Sequence, residues 1–394
     1  MNKNRMKKTL FLLLFIIELE PVVAQIDVLQ EIERNNTVLS ALRQQMEADK
    51  TENKIGIYPE NPEVEFHYLW GNLAEMGNRV DWSASQSFDF PTAYHYKRKI
   101  SNLKNQQLEL QYRIDRKDVL SEASSVCIQL IYWNALSEKL KERLDQIQQM
   151  TNAYQRRYET GDASLLDLNK IKYDLLNVRK DHQNALTEKE FFQLELVRLN
   201  GGISLQLSTR DFPQIIMPDH FEQWYKDQKE RNLYLKQYQQ EINIGKENEK
   251  LQRSLNLPKI TAGYMSESVL TERFQGLILG VSIPLWENKN TVKQIKAQTL
   301  ANQELEKNAA LRDYYHTESL FKKALNLYRI LGEIKNQQEE DYTVGLLNRS
   351  LQLGEMSLTE FILELNVYYD MQRSKLETER DLHLIISELM QWDL

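Results

Sequence analysis

Apolar residues recur at steps of three and four along most of the chain, which is the pattern of helices that bury one face. The longest stretch runs from about Ala93 to Tyr158 without Gly or Pro, and its apolar positions are spaced as in a coiled coil. Similar stretches lie at about 26–56, 164–199, 219–255, 289–353 and 357–392. The pattern therefore predicts a mainly α-helical chain whose longest helix exceeds what a compact domain can hold.

Four shorter segments alternate with a period of two, which indicates β-strands. The first pair is Val64–Trp70 and Val80–Phe90, and the second pair is Ile260–Tyr264 and Leu277–Ile283, with a loop expected at about Met265–Arg273. One face of each strand is apolar or aromatic and the other is small or polar, which is typical of outer-membrane barrels. A small soluble sheet that buries its aromatic residues against the helices is the alternative.

The chain repeats itself with an offset of 193 residues. Pro91 and Pro284 precede the two longest helical stretches, and Gly161 and Gly354 end them, so that each glycine lies 70 residues after its proline. Independent helices would rarely agree so closely, and a fixed offset is the mark of duplicated architecture. We therefore predict two structural repeats.

Each long hairpin is expected to turn at a Gly-x-x-Ser segment, Gly161–Ser164 or Gly354–Ser357. Glycine can adopt the left-handed conformation that ends a helix, and serine can cap the helix that follows. An acidic residue stands three positions after each serine, as in a capping box, although Asp167 is a variant of the usual Glu or Gln. These segments predict two tight helical hairpins.

The N-terminus has the pattern of a secretory signal peptide. Four basic residues precede the apolar run Thr9–Ile17, which is shorter than the roughly 20 residues of a spanning helix. A membrane anchor or a buried helix is the alternative. The predicted organisation is a signal peptide at 1–24, a first repeat at 25–200, an irregular link at 201–218 and a second repeat at 219–394. Each repeat is expected to begin with a helix, followed by a β-hairpin at about 64–90 or 259–284 and a long helical hairpin at 93–199 or 288–392.

Composition agrees with long solvated helices and offers no catalytic chemistry. The 13 Gly and 8 Pro are about 5% of the chain, against roughly 12% in average soluble proteins. A net charge of −7 gives no reason to expect nucleic acid as a partner. No HExxH, GxSxG, Walker A or GxGxxG motif occurs, and the single Cys127 excludes an intrachain disulfide. We predict no catalytic residue, no cofactor and no metal site; a metal role for His67 has no support beyond its place on the polar strand face.

Four strands in one chain cannot close a barrel, and open strand edges are not tolerated in lipid. Two copies would give eight strands, whose interior side chains fill, whereas three copies would give twelve strands around a watery lumen. The helices would continue below as an α-helical barrel. On this prediction the polar strand face lines the lumen, and the candidate lumen residues are Asp81, Ser83, Ser85, Ser87 and Asp89.

Four segments resemble the TolC-like outer-membrane efflux family: Tyr158–Asp167 (YETGDASLLD), Ser87–Pro91 (SFDFP), Gly280–Trp286 (GVSIPLW) and Leu194–Gly201 (LELVRLNG). The resemblance implies a homotrimer with a twelve-stranded barrel in outer-membrane lipid and a large periplasmic helical tunnel. It also implies a passive exit duct of a tripartite efflux pump or type I secretion system, in which a periplasmic adaptor joins the duct to an inner-membrane pump. Many members carry a lipid on an N-terminal cysteine, and this chain lacks that cysteine.

The resemblance also suggests two groups of site residues at the hairpin turns. Family members close the periplasmic mouth with acidic residues just past the second turn, so Glu360 and Glu364 are candidate gate residues. The alternative for Glu360 is that it only caps the return helix. The candidate adaptor-docking residues are Gly161, Ser164, Leu165, Gly354, Ser357 and Leu358. The alternative for the two leucines is packing inside the hairpins.

Two other classes of protein remain as alternatives to a channel. One is a secreted or periplasmic coiled-coil scaffold, and the other is the periplasmic adaptor of such pumps. Adaptors have one helical hairpin and glycine-rich β domains, which the duplication and the low glycine content disfavour. The transported substrate is left open among metals, drugs, bile salts and proteins.

Overall fold

The computed structural model describes residues 20–72, 76–286, 288–337 and 342–393. The first elements are α1 (Glu20–Asn35), α2 (Thr37–Glu52), β1 (Glu63–Leu69), β2 (Arg79–Phe88), α3 (Pro91–Glu159) and α4 (Leu165–Leu199). The later elements are α5 (Phe221–Arg231), α6 (Leu233–Leu255), β3 (Lys259–Val269), β4 (Glu272–Ser282), α7 (Thr291–Gln337), α8 (Thr343–Leu353) and α9 (Leu358–Leu389), followed by a short 3₁₀ helix (Gln391–Asp393). The predicted signal peptide lies outside the described residues up to position 19, and positions 20–24 belong to α1.

The prediction of a mainly helical chain with four strands is confirmed. Helix α3 is unbroken over 69 residues, from Pro91 at its first position to Glu159. Proline suits the first position of a helix because the N–H that it lacks has no partner there. The five residues 160–164 form the turn, and the return helix α4 begins at Leu165.

The chain divides into two compact units. One unit consists of described residues 20–40, 115–231 and 314–393, and it contains the turns of both long hairpins. The other unit consists of residues 41–114 and 232–313, and it contains the sheet together with α6 and parts of α2, α3 and α7. Apolar clusters in the first unit lie between packed helices, as expected for coiled-coil stripes.

Two of the predicted helices are each interrupted at an asparagine. The stretch 26–56 is divided between α1 and α2 at Asn36, and the stretch 219–255 is divided between α5 and α6 at Asn232. The Asn36 side chain accepts from the Leu39 amide at 3.0 Å and donates to the Leu199 carbonyl at 2.8 Å. Because such a side chain competes for backbone groups at a helix start, it favours a new cap over a continuous helix.

The four strands form one antiparallel sheet in the order β1-β2-β3-β4. Strand β2 pairs with β3 over ten residues, from Arg79 opposite Val269 to Phe88 opposite Ile260. The prediction of a loop at 265–273 is wrong, because β3 extends to Val269 and β4 starts at Glu272. Only Leu270 and Thr271 remain as the turn, and Leu270 takes a positive φ of 52°.

Helices α6 and α7 approach closely at Gly245. A Cβ at this position would lie 2.4 Å from the hydroxyl oxygen of Thr299 on α7, which is shorter than any real carbon contact. The Thr299 hydroxyl donates to the Ile295 carbonyl within its own helix at 2.9 Å, so its position is fixed. The absence of a side chain at Gly245 is therefore what allows the two helices to pack at this distance.

Candidate functional site

The sheet has one apolar face and one polar face, because its strands pair in register. Side chains directly opposite one another share a face, and Phe66 on β1 faces Trp82 on β2 while Tyr264 on β3 faces Leu277 on β4. The rings of Trp82 and Tyr264 lie 5.3 Å apart, which links the central strands on the apolar side. The predicted alternation holds along β1 and β2, but near the β3–β4 turn Met265 and Phe274 lie on the polar face while Ser266 and Ser268 lie on the apolar face.

The apolar face and the outer strands are not covered by the described helices. Strands β1 and β4 form the two edges of the sheet, and each has one side without a partner strand in this chain. The exposed fraction is 66% for Phe66 on β1 and 82% for Leu279 on β4. The soluble-sheet alternative required these side chains to be buried against helices, and in the described chain they are not.

The five candidate lumen residues occupy the polar side of β2 or follow directly from it. Asp81, Ser83, Ser85 and Ser87 share one face of β2, and Asp89 lies one residue beyond the strand. The Ser87 hydroxyl is 2.9 Å from that of Thr261 on β3. Asp89 pairs with two lysines, with its carboxylate oxygens 2.8 Å from Lys97 Nζ and 3.6 Å from Lys259 Nζ.

The first long hairpin turns at Gly161, as the sequence predicts. Gly161 has a φ of +82°, in the left-handed region, and its amide bonds the Tyr158 carbonyl at 3.1 Å. Ser164 caps α4: its hydroxyl oxygen accepts from the Asp167 amide at 3.1 Å and its hydroxyl lies 2.6 Å from the Asp167 carboxylate. The Asp167 side chain thus bonds the serine hydroxyl rather than the serine amide.

The second long hairpin turns at Gly354, whose φ is +75°. Here the capping box is complete, because the Ser357 amide donates to the Glu360 carboxylate at 2.8 Å and the Glu360 amide donates to the Ser357 hydroxyl oxygen at 3.2 Å. Hydrogen bonds from the Ser357 amide and hydroxyl lower the pKa of Glu360 below its usual value. Glu360 is exposed, as is Glu364 one turn further along α9.

The two docking-candidate leucines have different environments. Leu165 is 53% exposed at the start of α4, whereas Leu358 is 6% exposed at the start of α9. Leu358 belongs to an apolar cluster that also includes Phe361, Leu168 and Leu347. Packing inside the hairpins therefore accounts for Leu358, while the Leu165 side chain is available to a partner.

A buried polar cluster above the turns was not expected from the sequence. The guanidinium of Arg143 on α3 lies 3.5 Å from the carboxylate of Asp174 on α4, and it also donates to the side-chain oxygen of Asn366 on α9. Its carbon lies 5.1 Å from the ring centre of Tyr369. Arg143 and Asp174 are each 8% exposed, and burial raises the pKa of Asp174 despite the nearby guanidinium. The cluster joins α3, α4 and α9.

One sequence signal for this cluster was available. Asp174 lies between the buried residues Ile171, Leu175 and Val178, so it is a charged residue within an apolar stripe. A charged residue is rarely buried in a core unless a partner group contacts it. The position of the partner depends on how three separate helices align, which periodicity along one helix does not specify.

Among the residues that the structure describes, no three His, Cys, Asp or Glu side chains lie close enough together to hold a metal ion. Cys127 is buried, and burial raises the pKa of its thiol to about 12. In the same described ranges, every helix falls short of the apolar length needed to cross a bilayer.

The sequence matches no protein-family model, and no curated protein is similar to it in sequence. Three solved structures with a similar fold are outer-membrane proteins. The CmeC outer-membrane channel of Campylobacter jejuni is 12% identical, with a TM-score of 0.74 over 94% of this chain and 85% of that chain. The MtrE outer-membrane channel of Neisseria gonorrhoeae, in its open state, is 10% identical, with a TM-score of 0.74 over 94% of this chain and 88% of that chain. The outer-membrane protein VceC of Vibrio cholerae is 9% identical, with a TM-score of 0.73 over 93% of this chain and 95% of that chain.

These similarities extend over nearly the whole chain, so they concern the complete arrangement of helices and strands rather than one hairpin. At this level of identity they establish the fold. The chain has the fold of the TolC-like outer-membrane channels, which the motifs around Gly161, Pro91 and Pro284 predicted.

Proposed function

We propose that the chain is one subunit of a passive, trimeric outer-membrane exit duct that serves a tripartite efflux pump or a type I secretion system. The observation that carries this proposal is the four-stranded sheet with two free edges and an uncovered apolar face. Exposing such a face to water is unfavourable, whereas exposing it to lipid is favourable. The similarity in fold to outer-membrane channels supports the same conclusion.

Closure of the sheet requires other copies of the chain. Lipid offers no hydrogen bonds to the free backbone groups of β1 and β4, so each edge needs a neighbouring strand. Twelve strands from three copies would leave a watery lumen, whereas eight from two copies would be filled by side chains. In the trimer, β4 of one copy pairs with β1 of the next, and the polar face lines the lumen.

The long helices form the periplasmic part of the duct. The two repeats, 25–200 and 219–394, each contribute one long helical hairpin to an α-helical barrel. The hairpin turns face a periplasmic adaptor, with Leu165 as an exposed contact, and the adaptor connects the duct to an inner-membrane pump. Energy for transport comes from that pump.

A conductance measurement and an assembly assay together test this function. We expect the protein in the outer-membrane fraction as an SDS-resistant trimer that dissociates on heating, and we expect the purified trimer to conduct ions in planar bilayers. Absence of both would favour the coiled-coil scaffold or the adaptor. A deletion strain challenged with metals, dyes and bile salts identifies the substrate class.

A pair of charge substitutions tests whether lipid or water surrounds the apolar face of the sheet. Leu279→Arg places a charge on the apolar face of β4, which in lipid costs about 2–4 kcal/mol near the bilayer centre and lowers trimer yield. The matched control is Glu65→Arg on the polar face of the other edge strand, β1. In a water-exposed scaffold, Leu279→Arg would be harmless, because the side chain is already 82% exposed.

A further inference from the structure

Two carboxylates lie directly opposite one another on the polar face of the sheet. Asp81 on β2 pairs in register with Glu267 on β3, and His67 on β1 is the neighbour of Asp81 on its other side. Like charges at directly opposed positions repel and destabilise strand pairing. The arrangement therefore requires a compensating positive charge.

Arg79 supplies that charge to both carboxylates. Its Nε lies 2.9 Å from the Asp81 carboxylate, and a terminal nitrogen lies 3.1 Å from the Glu267 carboxylate. The side chain of Arg79 remains 43% exposed, and those of Asp81 and Glu267 are 16% and 27% exposed. One guanidinium thus faces two carboxylates at a surface that water reaches, and the group as a whole retains one negative charge.

The rest of this face adds to the negative charge. Within the four strands, the register places three further acidic side chains on the polar face, namely Glu63, Glu65 and Glu272. The basic side chains on the same face of the strands are Arg79 and Lys259, and Lys259 lies 3.6 Å from Asp89 at the opposite end of the sheet. Among the strand residues, Arg79 is therefore the one basic side chain on this face that lies near the Asp81–Glu267 pair.

We propose that Arg79 sets the charge selectivity of the duct in its strand portion. This inference rests on the proposed function, in which the polar face lines the lumen. Three copies surround the lumen with a surplus of carboxylates, which favours cationic over anionic cargo, and each Arg79 limits that surplus by neutralising one carboxylate of the Asp81–Glu267 pair. Rings of fixed charge act in this way because they change the local concentration of mobile ions.

The test is the reversal potential of single trimers in a KCl gradient across a planar bilayer. Arg79→Gln removes one positive charge from each of the three copies and leaves the carboxylates in place. The permeability ratio of K⁺ to Cl⁻ should therefore rise at least about two-fold, since one unit charge acting across about 8 Å of water already gives roughly that factor. Arg79→Gln combined with Glu267→Gln restores the original charge of the group and should restore the wild-type ratio. Recovery in the double variant shows that charge, and not disturbed strand pairing, is the cause.

Arg273 provides the matched control. It lies on β4 opposite Ser268, so that it belongs to the apolar face, and its Nε donates to the Ser266 hydroxyl oxygen at 3.1 Å. Arg273→Gln should leave the ratio unchanged. A conducting Arg79→Gln trimer with the wild-type ratio overturns the proposal, and so does a shift with Arg273→Gln alone, which would place the lumen on the other face. Wild-type trimers that fail to conduct contradict the proposed function itself.

Discussion

Ser357 and Glu360 exchange two hydrogen bonds in the first turn of α9, whereas Ser164 and Asp167 at the equivalent place in α4 bond only through the serine hydroxyl. The difference follows from side-chain length, because glutamate reaches the serine amide and aspartate does not. The Glu360 carboxylate is therefore held in its charged form with a lowered pKa. This relationship makes its two suggested roles, cap and gate, experimentally separable.

Glu360→Gln should preserve the cap and remove the charge, since glutamine also completes a capping box. Trimer yield and thermal stability should stay at wild-type levels, while the preference of the channel for K⁺ over Cl⁻ in planar bilayers should fall. Asp167→Asn, at the matching position of the first hairpin, is the control for loss of a first-turn carboxylate. Conductance and selectivity that remain unchanged in Glu360→Gln would remove the gate role.

Leu165→Ala and Leu358→Ala should affect different properties, because only the Leu358 side chain is buried. Leu358→Ala leaves a cavity in the turn cluster and should lower the free energy of unfolding by about 2–5 kcal/mol. Leu165→Ala should leave stability unchanged and weaken crosslinking to the periplasmic adaptor. Denaturant unfolding and site-directed crosslinking measure the two effects; adaptor crosslinking that is insensitive to Leu165→Ala would exclude this leucine as a contact.

Gly161→Ala should destabilise the first hairpin through the backbone alone. No atom lies within 4 Å of a Cβ built at this position, so there is no clash, but its φ of +82° costs a residue with a side chain about 1–2 kcal/mol. The melting temperature of the protein should fall accordingly. In Gly161→Asn the melting temperature should fall less, since asparagine tolerates the left-handed region better. Equal losses of melting temperature in the two variants would contradict the backbone explanation.

Gly245→Ala should separate α6 from α7, because the new methyl group would overlap the Thr299 hydroxyl. Overpacking of this kind costs about 1–3 kcal/mol. Thr299→Ala in the same chain removes the hydroxyl and should recover part of the loss, which denaturant titration of both variants would show. Additive losses in the double variant would mean that the clash is not the cause.

His383 should make the protein less stable as the pH is lowered. Its ring is buried and stacks on Phe212 with centroids 4.8 Å apart, and burial together with the charge of Lys335 lowers its pKa from 6.5 to about 4. The unfolded chain therefore binds a proton between these values that the folded chain does not, and the free energy of unfolding should drop by about 2 kcal/mol from pH 7 to pH 5. His383→Leu should abolish this drop in unfolding experiments at the two pH values; an equal drop in that variant would assign the effect to other groups.

The parts of the fold that could be predicted from the sequence are those with local signals. The ends of α3 were predicted within two residues, because Pro91 at its start and Gly161 after its end act on the backbone directly. The breaks at Asn36 and Asn232 were missed because their side chains also bond groups distant in sequence, the Leu199 carbonyl and the Asp313 carboxylate. A helical pattern along the chain contains no information about such partners.

The same distinction applies to the candidate site. The turn glycines and capping serines were identified from spacing, but the difference between Leu165 and Leu358 was not, because it arises where α8 and α9 pack against the first hairpin. The extension of β3 to Val269 was missed because Ser266 and Ser268 interrupt the apolar alternation near the turn. Near the turn, a strand leaves the apolar environment and can carry polar residues on either face. A search for strict alternation alone therefore assigns these residues to a loop.

The uncovered side of the sheet has a consequence for biogenesis. If three copies assemble as proposed, a single copy before assembly exposes aromatic and aliphatic side chains such as Phe66 and Leu279 to water and leaves both outer strands unpaired. Such a surface recruits other chains indiscriminately. On the proposed function, we therefore expect the unassembled subunit to need protection from non-specific association until its edge strands are paired.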